Sequence, residues 1–169
     1  MPDKQTIEKA KQDAHEGKSS STQAGEFVRA EIEKVRRGEH GVRSPEQAIA
    51  IGLSEARRAG VDVPAPKKGR VKETTRRQAE RDREVGQGER KPAKRPGAAR
   101  RTTRALKKEH TSTASPEALS THAKRAAGKR SSAERSAAAK KGSRTKGAAS
   151  RSDAARKGAA TRARNNNSA

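Results

Sequence analysis

Cysteine, tryptophan and tyrosine are absent from this 169-residue chain, and Phe27 is its single aromatic residue. Without cysteine there is no disulfide framework, no thiolate nucleophile and no cysteine-based zinc site. One aromatic residue is too few for the stacking platforms of single-strand binders and aromatic RNA modules. No run approaches the roughly 18 apolar residues of a membrane span. The opening Met1-Pro2-Asp3-Lys4 leads into polar sequence rather than a secretory signal, so a cytoplasmic protein is expected. Apolar residues make up only 28% of the chain and charged residues 37%. Such a composition buries too little apolar surface to offset chain entropy, which predicts extensive disorder.

Groupings that carry chemistry are also missing. His15, His40, His110 and His122 lie far apart and lack metal-ligand spacing. Glu31 and Glu33 fall on different helix faces, and no serine, base and carboxylate group by motif. Lys67-Lys68-Gly69 has neither the glycine-rich run nor the trailing Lys-Ser/Thr pair of a phosphate loop. A non-enzymatic protein with no catalytic residue, metal or cofactor is expected.

What the chain has in excess is positive charge, +22 in total, and it is unevenly placed. Residues 1–63 hold 11 basic and 11 acidic side chains and are neutral, whereas residues 90–169 hold 23 basic and 4 acidic ones. The large apolar residues segregate the other way, with Phe27, Val28, Ile32, Val35, Val42, Ile49, Ile51, Leu53, Val61 and Val63 crowded together. Beyond them only Val71, Val85, Leu106 and Leu119 remain. This partition predicts a balanced folded segment followed by an electrostatic arm, and a core so small is marginal by itself.

The expected fold class is all-α: a small helical hairpin, then a largely disordered Ala/Lys/Arg-rich basic tail with nascent helices. Residues 1–21 read as a weak, frayed polar helix (Gln5 to His15) and a serine-rich linker. Residues 22–63 form the hairpin. Its first helix, about 22–37, is capped by Ser20 or Thr22 and ends in Arg36 and Arg37 before Gly38. Its second begins at Ser44-Pro45-Glu46-Gln47, where serine is the N-cap, proline the first helical residue and Gln47 the reciprocal capping partner. Phe27, Val28, Ile32, Val35, Ile49 and Leu53 are the expected hairpin core. The roughly six-residue connection exceeds the turn of a DNA-reading helix-turn-helix, so a scaffold or protein-contact role is assigned to the hairpin.

Residues 64–97 read as a Pro/Gly linker containing a solvent-exposed, ion-paired helix near 72–85. Residues 98–169 are a low-complexity basic tail with a 16-residue repeat, matched at 120–125, 136–141 and 152–157. In each unit a serine is expected to cap a helical turn, alanines to extend it and paired cations to close it. Whether these short units become helical on a polyanion or stay disordered is open at this level.

A basic arm without aromatics or a large apolar face favours nucleic acid over membranes as the partner. Lysines and arginines neutralise phosphates and release counterions, giving affinity without sequence information. The expected phosphate-binding cluster is Arg100, Arg101, Arg104, Lys107, Lys108, Lys124, Arg125, Lys140, Lys141, Arg144, Lys146, Arg156, Lys157, Arg162 and Arg164.

The stretch from Thr22 to Pro66, above all Ser44-Pro45-Glu46-Gln47-Ala48-Ile49-Ala50-Ile51-Gly52-Leu53-Ser54-Glu55-Ala56, resembles a family of small basic bacterial proteins of unknown function. That likeness implies no activity, substrate or site residue. The tail is similar in composition to linker-histone tails and bacterial histone-like proteins, which implies non-specific duplex binding. The expected function is therefore sequence-independent DNA binding in a bacterial nucleoid or on a plasmid, with compaction or protection as its outcome. An RNA- or ribosome-associated factor remains an alternative. So does an adaptor whose hairpin holds a protein partner while the tail supplies avidity.

Overall fold

The computed structural model describes residues 3–93, 96–145 and 148–166. Among these residues the regular structure is entirely helical. It comprises α1 (Lys4–His15), α2 (Ser20–Arg36), α3 (Pro45–Arg58), α4 (Glu73–Gly86), α5 (Ala98–Leu106), α6 (Pro116–Gly128), α7 (Ser132–Thr145) and α8 (Ala148–Asn166), with a 3-10 turn at Ser112–Ala114. The all-α class agrees with expectation. The chain forms two compact units, Met1–His122 and Ala123–Ala169, with the boundary inside α6.

The hairpin is built from α2 and α3. Helix α2 ends at left-handed Gly38 (φ 78°), where the Glu39 N–H donates to the Lys34 carbonyl. Helix α3 starts as its sequence requires: the Gln47 N–H donates to Ser44 Oγ at 3.3 Å, and Gln47 Oε1 accepts from the Arg43 N–H at 2.8 Å. Where the two helices cross, Gly52 lies on the α2 backbone, and a Cβ there would sit 2.7 Å from Val28 Cα.

Two small cores form instead of one. Phe27 is fully buried among Ala10, Ala24, Ala56 and Val61, with Ile7, Leu53, Ala59 and Val63 packed around them. Complete burial of a phenylalanine side chain contributes about 1.5–3 kcal/mol, a large share for so small a cluster. The second core joins Val35, Val42, Ala48 and Ala114, flanked by Ile32 and Ile51. Val28 and Ile49 are half-buried.

Several expectations need correction. Helix α1 is not a frayed solvated segment: it packs on α2, burying Thr6, Ala10 and Asp13. Only its alanine and Ile7 are apolar on that face, which is why periodicity understated it. Helix α4 is not merely solvent-exposed either. It packs on α3, and its buried Asp82 accepts from Ser54 Oγ at 2.7 Å, Arg58 Nε at 2.8 Å and Gln78 Nε2 at 2.9 Å. A carboxylate with that many donors is stable in a buried place where hydrophobic patterning expects none.

The largest correction concerns the tail, which was expected to be largely disordered from residue 98 onward. Its described residues lie mostly in helices α5 to α8. Alanine, lysine and arginine are strong helix formers, which accounts for long helices in a sequence with no apolar core. Part of this region also packs on the hairpin. The Gly41 N–H donates to the Leu106 carbonyl at 3.0 Å and the Val42 N–H to the His110 carbonyl at 3.1 Å. Thr113 Oγ1 donates to the Val42 carbonyl at 2.6 Å, and Arg36 Nε to the Ala114 carbonyl at 2.9 Å. Gly41 comes so close that a Cβ would lie 1.9 Å from the Glu109 carbonyl oxygen. Residues 106–122 thus act as a strap, and fully buried Ala114 closes the second core.

The repeats do not coincide with single capped helices. Ser120, Ser136 and Ser152 lie inside α6, α7 and α8, as do Gly142 and Gly158 in the last two. The capping serines are Ser115, whose Oγ accepts from the Ala118 N–H, and Ser131. Ser131 forms a reciprocal box with Glu134, at 3.1 Å in one direction and 2.9 Å in the other.

Candidate nucleic-acid interface

About half of the cations before residue 91 are answered by acids. Lys18 pairs with Asp13 and Glu16, Arg37 with Glu39, and Arg83 with Asp62. On α4, Arg76 bridges Glu73 and Glu80, and Arg77 joins at Glu73. Hydrogen bonds from Arg76 and then Arg77 hold the Glu73 carboxyl down at about 2. These pairs keep the first half of the chain electrostatically quiet.

The expected phosphate-binding residues stand in a different setting. Arg100, Arg101 and Arg104 lie on α5, with Lys107 and Lys108 just beyond it, and all five are exposed. Lys124 and Arg125 are exposed on α6, Lys140, Lys141 and Arg144 on α7, and Arg156, Lys157 and Arg162 on α8. Arg156 donates to Ser152 Oγ one turn earlier. Lys146 lies outside the described residues, as does the side chain of Arg164. The four acids after residue 90 are Glu109, Glu117, Glu134 and Asp153. Glu109 pairs with Arg43 at 3.3 Å, and Glu134 serves the α7 cap.

The cations are arranged in two ways. At 3.6 residues per turn, those of α8 spread around the helix circumference, whereas Arg100, Arg101 and Arg104 of α5 and Lys140, Lys141 and Arg144 of α7, which share one spacing, each fall within a stripe about 100° wide. The opposite side of α5 carries Ala98, Thr102, Ala105 and half-buried Leu106. A plain list of basic residues conceals this difference, although helical periodicity applied to Arg100-Arg101-x-x-Arg104 and Lys140-Lys141-x-x-Arg144 reveals it.

Base stacking has no side chain to serve it, because Phe27 is 0% exposed. No group of three or more His, Cys, Asp or Glu able to hold a metal occurs among the described residues. No helix among them is long and apolar enough to cross a membrane. A cavity of about 370 Å³ between α1 and α2 is lined by charged and polar side chains such as Lys9, Glu26, Arg29 and Glu33.

The strap seam holds two histidine–carboxylate contacts that sequence reasoning missed. His122 Nδ1 lies 2.8 Å from Glu46 Oε1. Hydrogen bonds from its own backbone N–H, from Ser44 and from His122 hold the Glu46 carboxyl down at about 2. His40 Nε2 lies 3.4 Å from Glu31 Oε1, which has no hydrogen-bond partner although the residue is only 2% exposed.

Burial pushes the Glu31 carboxyl up, against the pull of His40 and Lys34 and with the help of Glu55. A folded-state pKa above the unfolded one stabilises below the unfolded value and is lost as pH rises through the folded value. At neutral pH the Glu31 charge therefore works against folding. Glu31→Gln should raise the melting midpoint at pH 7, by an amount of order 1 kcal/mol. The advantage over the parent should shrink at about pH 4, where both side chains are neutral. Thermal unfolding of both full chains at the two pH values checks this, and an equal gain at both would show that Glu31 is ionised at neither.

No curated protein and no solved structure matches the chain. Residues 4–68, which hold α1, α2, α3 and the extended segment after them, match the model of a family of unknown function (DUF6496), so this part of the chain is similar to that family and the basic region lies beyond the match.

Proposed function

We propose that this protein binds duplex DNA through its phosphate backbone, independently of sequence, and compacts or shields it in the manner of a nucleoid-associated protein. The observation that carries the reading is the segregation of charge. Net charge is zero over residues 1–63 and +19 over residues 90–169, where the described cations project from helices with few acids among them. Phosphates are the polyanion that such an array suits, since each contact releases condensed counterions and needs no base-specific geometry. The hairpin and strap precede most of the basic helices in the chain. Burial of the single aromatic favours a duplex over unstacked single strands.

Fluorescence anisotropy of the full chain on two labelled duplexes of equal length and unrelated sequence tests the proposal. Their affinities should agree within about threefold, because a protein that reads bases loses about 1–3 kcal/mol per altered pair. Failure to bind either duplex at low salt, or a tenfold preference, would overturn it.

A further inference from the structure

Ahead of the basic region, one short stretch breaks the balance of charge. Residues 1–63 are neutral and residues 73–89 hold four basic and five acidic side chains, whereas residues 64–72 hold four cations and no acid. We infer that this stretch, the turn Lys67-Lys68-Gly69-Arg70-Val71-Lys72, is a second contact with the duplex backbone, made from between α3 and α4. The inference rests on the backbone-binding reading and adds a site outside residues 90–169.

The turn is held at both ends. Before it, Val61 is buried in the first core, and Arg57, only 6% exposed, donates from Nε to the Val63 carbonyl at 3.1 Å and from Nη2 to the Pro64 carbonyl at 3.2 Å. After it, the Lys72 carbonyl accepts from the Thr75 N–H at 2.9 Å and the Arg76 N–H at 3.1 Å, which starts α4 against α3. Between these anchors the Arg70 N–H donates to the Lys67 carbonyl at 3.1 Å, and Gly69 takes φ 82° at the third place of the turn. Glycine reaches that left-handed region without strain. Nothing lies within 4 Å of a Cβ built on Gly69, so no neighbouring element covers the bend there. A bend already ordered and open loses less conformational freedom on binding than a free segment would.

Its side chains suit a phosphate backbone. All six residues are exposed, and Lys67, Lys68 and Lys72 have no ion-pair partner among the described residues. The acids on either side are engaged elsewhere: Asp62 with Arg83 at 2.6 Å, and Glu73 with Arg76 at 2.7 Å and Arg77 at 3.1 Å. Lys67 and Lys72 are five residues apart, about 18 Å even if fully extended and less across a bend, so the cations meet one stretch of backbone. Val71, between Arg70 and Lys72, is the one large apolar side chain exposed among the described residues, at 39%. A lone aliphatic group is too little to enter a membrane, and it fits the sugar that lies beside the phosphates.

The test compares two full-chain variants that each remove three exposed lysines from the same compact unit. One carries Lys67→Gln, Lys68→Gln and Lys72→Gln on the turn, and the other Lys4→Gln, Lys9→Gln and Lys11→Gln on α1. Both lower the net charge equally, so a general field effect touches both alike. Duplex affinity is measured across salt concentrations, with thermal unfolding as the check on integrity. Loss of three phosphate contacts at the turn should make the log–log salt slope shallower by about 2.7, while the α1 variant should stay within about 0.5 of the parent. A third variant with Lys67→Arg, Lys68→Arg and Lys72→Arg keeps the charge and should keep the parental slope. A parental slope in the turn variant, or equal changes in the turn and α1 variants, would overturn the site while leaving backbone binding intact. An arginine variant that changes as the glutamine one does would also overturn it. Absence of duplex binding by the parent would instead sink the underlying reading.

Discussion

Gly52→Ala should lower the melting midpoint of the full chain, while Gly25→Ala, one helix away, should raise it. The same methyl group is added in both, and both glycines lie inside helices, α3 and α2 respectively. Nothing lies within 4 Å of the Cβ position at Gly25, so only the gain in helix propensity operates there, about 0.5–1 kcal/mol in favour of alanine. At Gly52 the new carbon would sit 2.7 Å from Val28 Cα, 2.9 Å from Val28 N and 3.1 Å from Phe27 C. These are backbone atoms, and relief requires α2 and α3 to move apart. Separation would loosen both small cores, since Phe27 and Val35 lie on α2 and Ala48 and Ala56 on α3. Overpacking of this kind costs about 1–3 kcal/mol and can exceed that where backbone must shift. For a unit of this size each kcal/mol moves the midpoint by about 4 °C. Circular dichroism at a helical wavelength reads both variants. A rise at Gly52 would mean that the helices do not cross there.

Raising salt from about 50 to 200 mM should weaken duplex binding by about 10⁴-fold or more. If about eight to twelve phosphates are neutralised at once, log affinity falls against log salt with a slope of about −7 to −11. The number of cations supports such a count, because the exposed set on α5 to α8 and its adjoining turns comfortably exceeds it. Few nearby carboxylates compete, as the pairing of Glu109 with Arg43 illustrates. The measurement is a titration series in monovalent salt on one duplex. A slope near −2 would mean that only a couple of phosphates are contacted, and the segregated charge would then need another explanation.

Local chemistry was legible where it is carried by neighbours in the chain. The start of α3 follows from Ser44-Pro45-Glu46-Gln47, and Gly38 ends α2, because caps and left-handed positions need only residues within one turn. The burial of Phe27 and Val35 follows from helical spacing on α2. The strap was not legible. Its anchors are the carbonyls of Leu106, His110 and Ala114, and every residue has a carbonyl, so no pattern of side chains announces it. Its one buried side chain, Ala114, looks like any other alanine in an alanine-rich region. Asp82 and Glu31 escaped notice for the opposite reason: charged residues are assigned to solvent unless donors from distant parts of the chain are known.

By itself the sequence determined the all-α class, the capped start of α3 and the glycine that ends α2, and the division into a neutral segment and a strongly basic one. These depend on propensity, composition and contacts within a few residues, which are present in the chain before it folds. Tertiary structure alone decided that α1 and α4 pack on the hairpin, that residues 106–122 close a second core, and that Asp82 sits among Ser54, Arg58 and Gln78. Those features join residues tens of positions apart through backbone hydrogen bonds, close glycine contacts and buried polar pairs. None of these leaves a periodic trace, because each depends on which surfaces meet and not on the order in which residues follow one another.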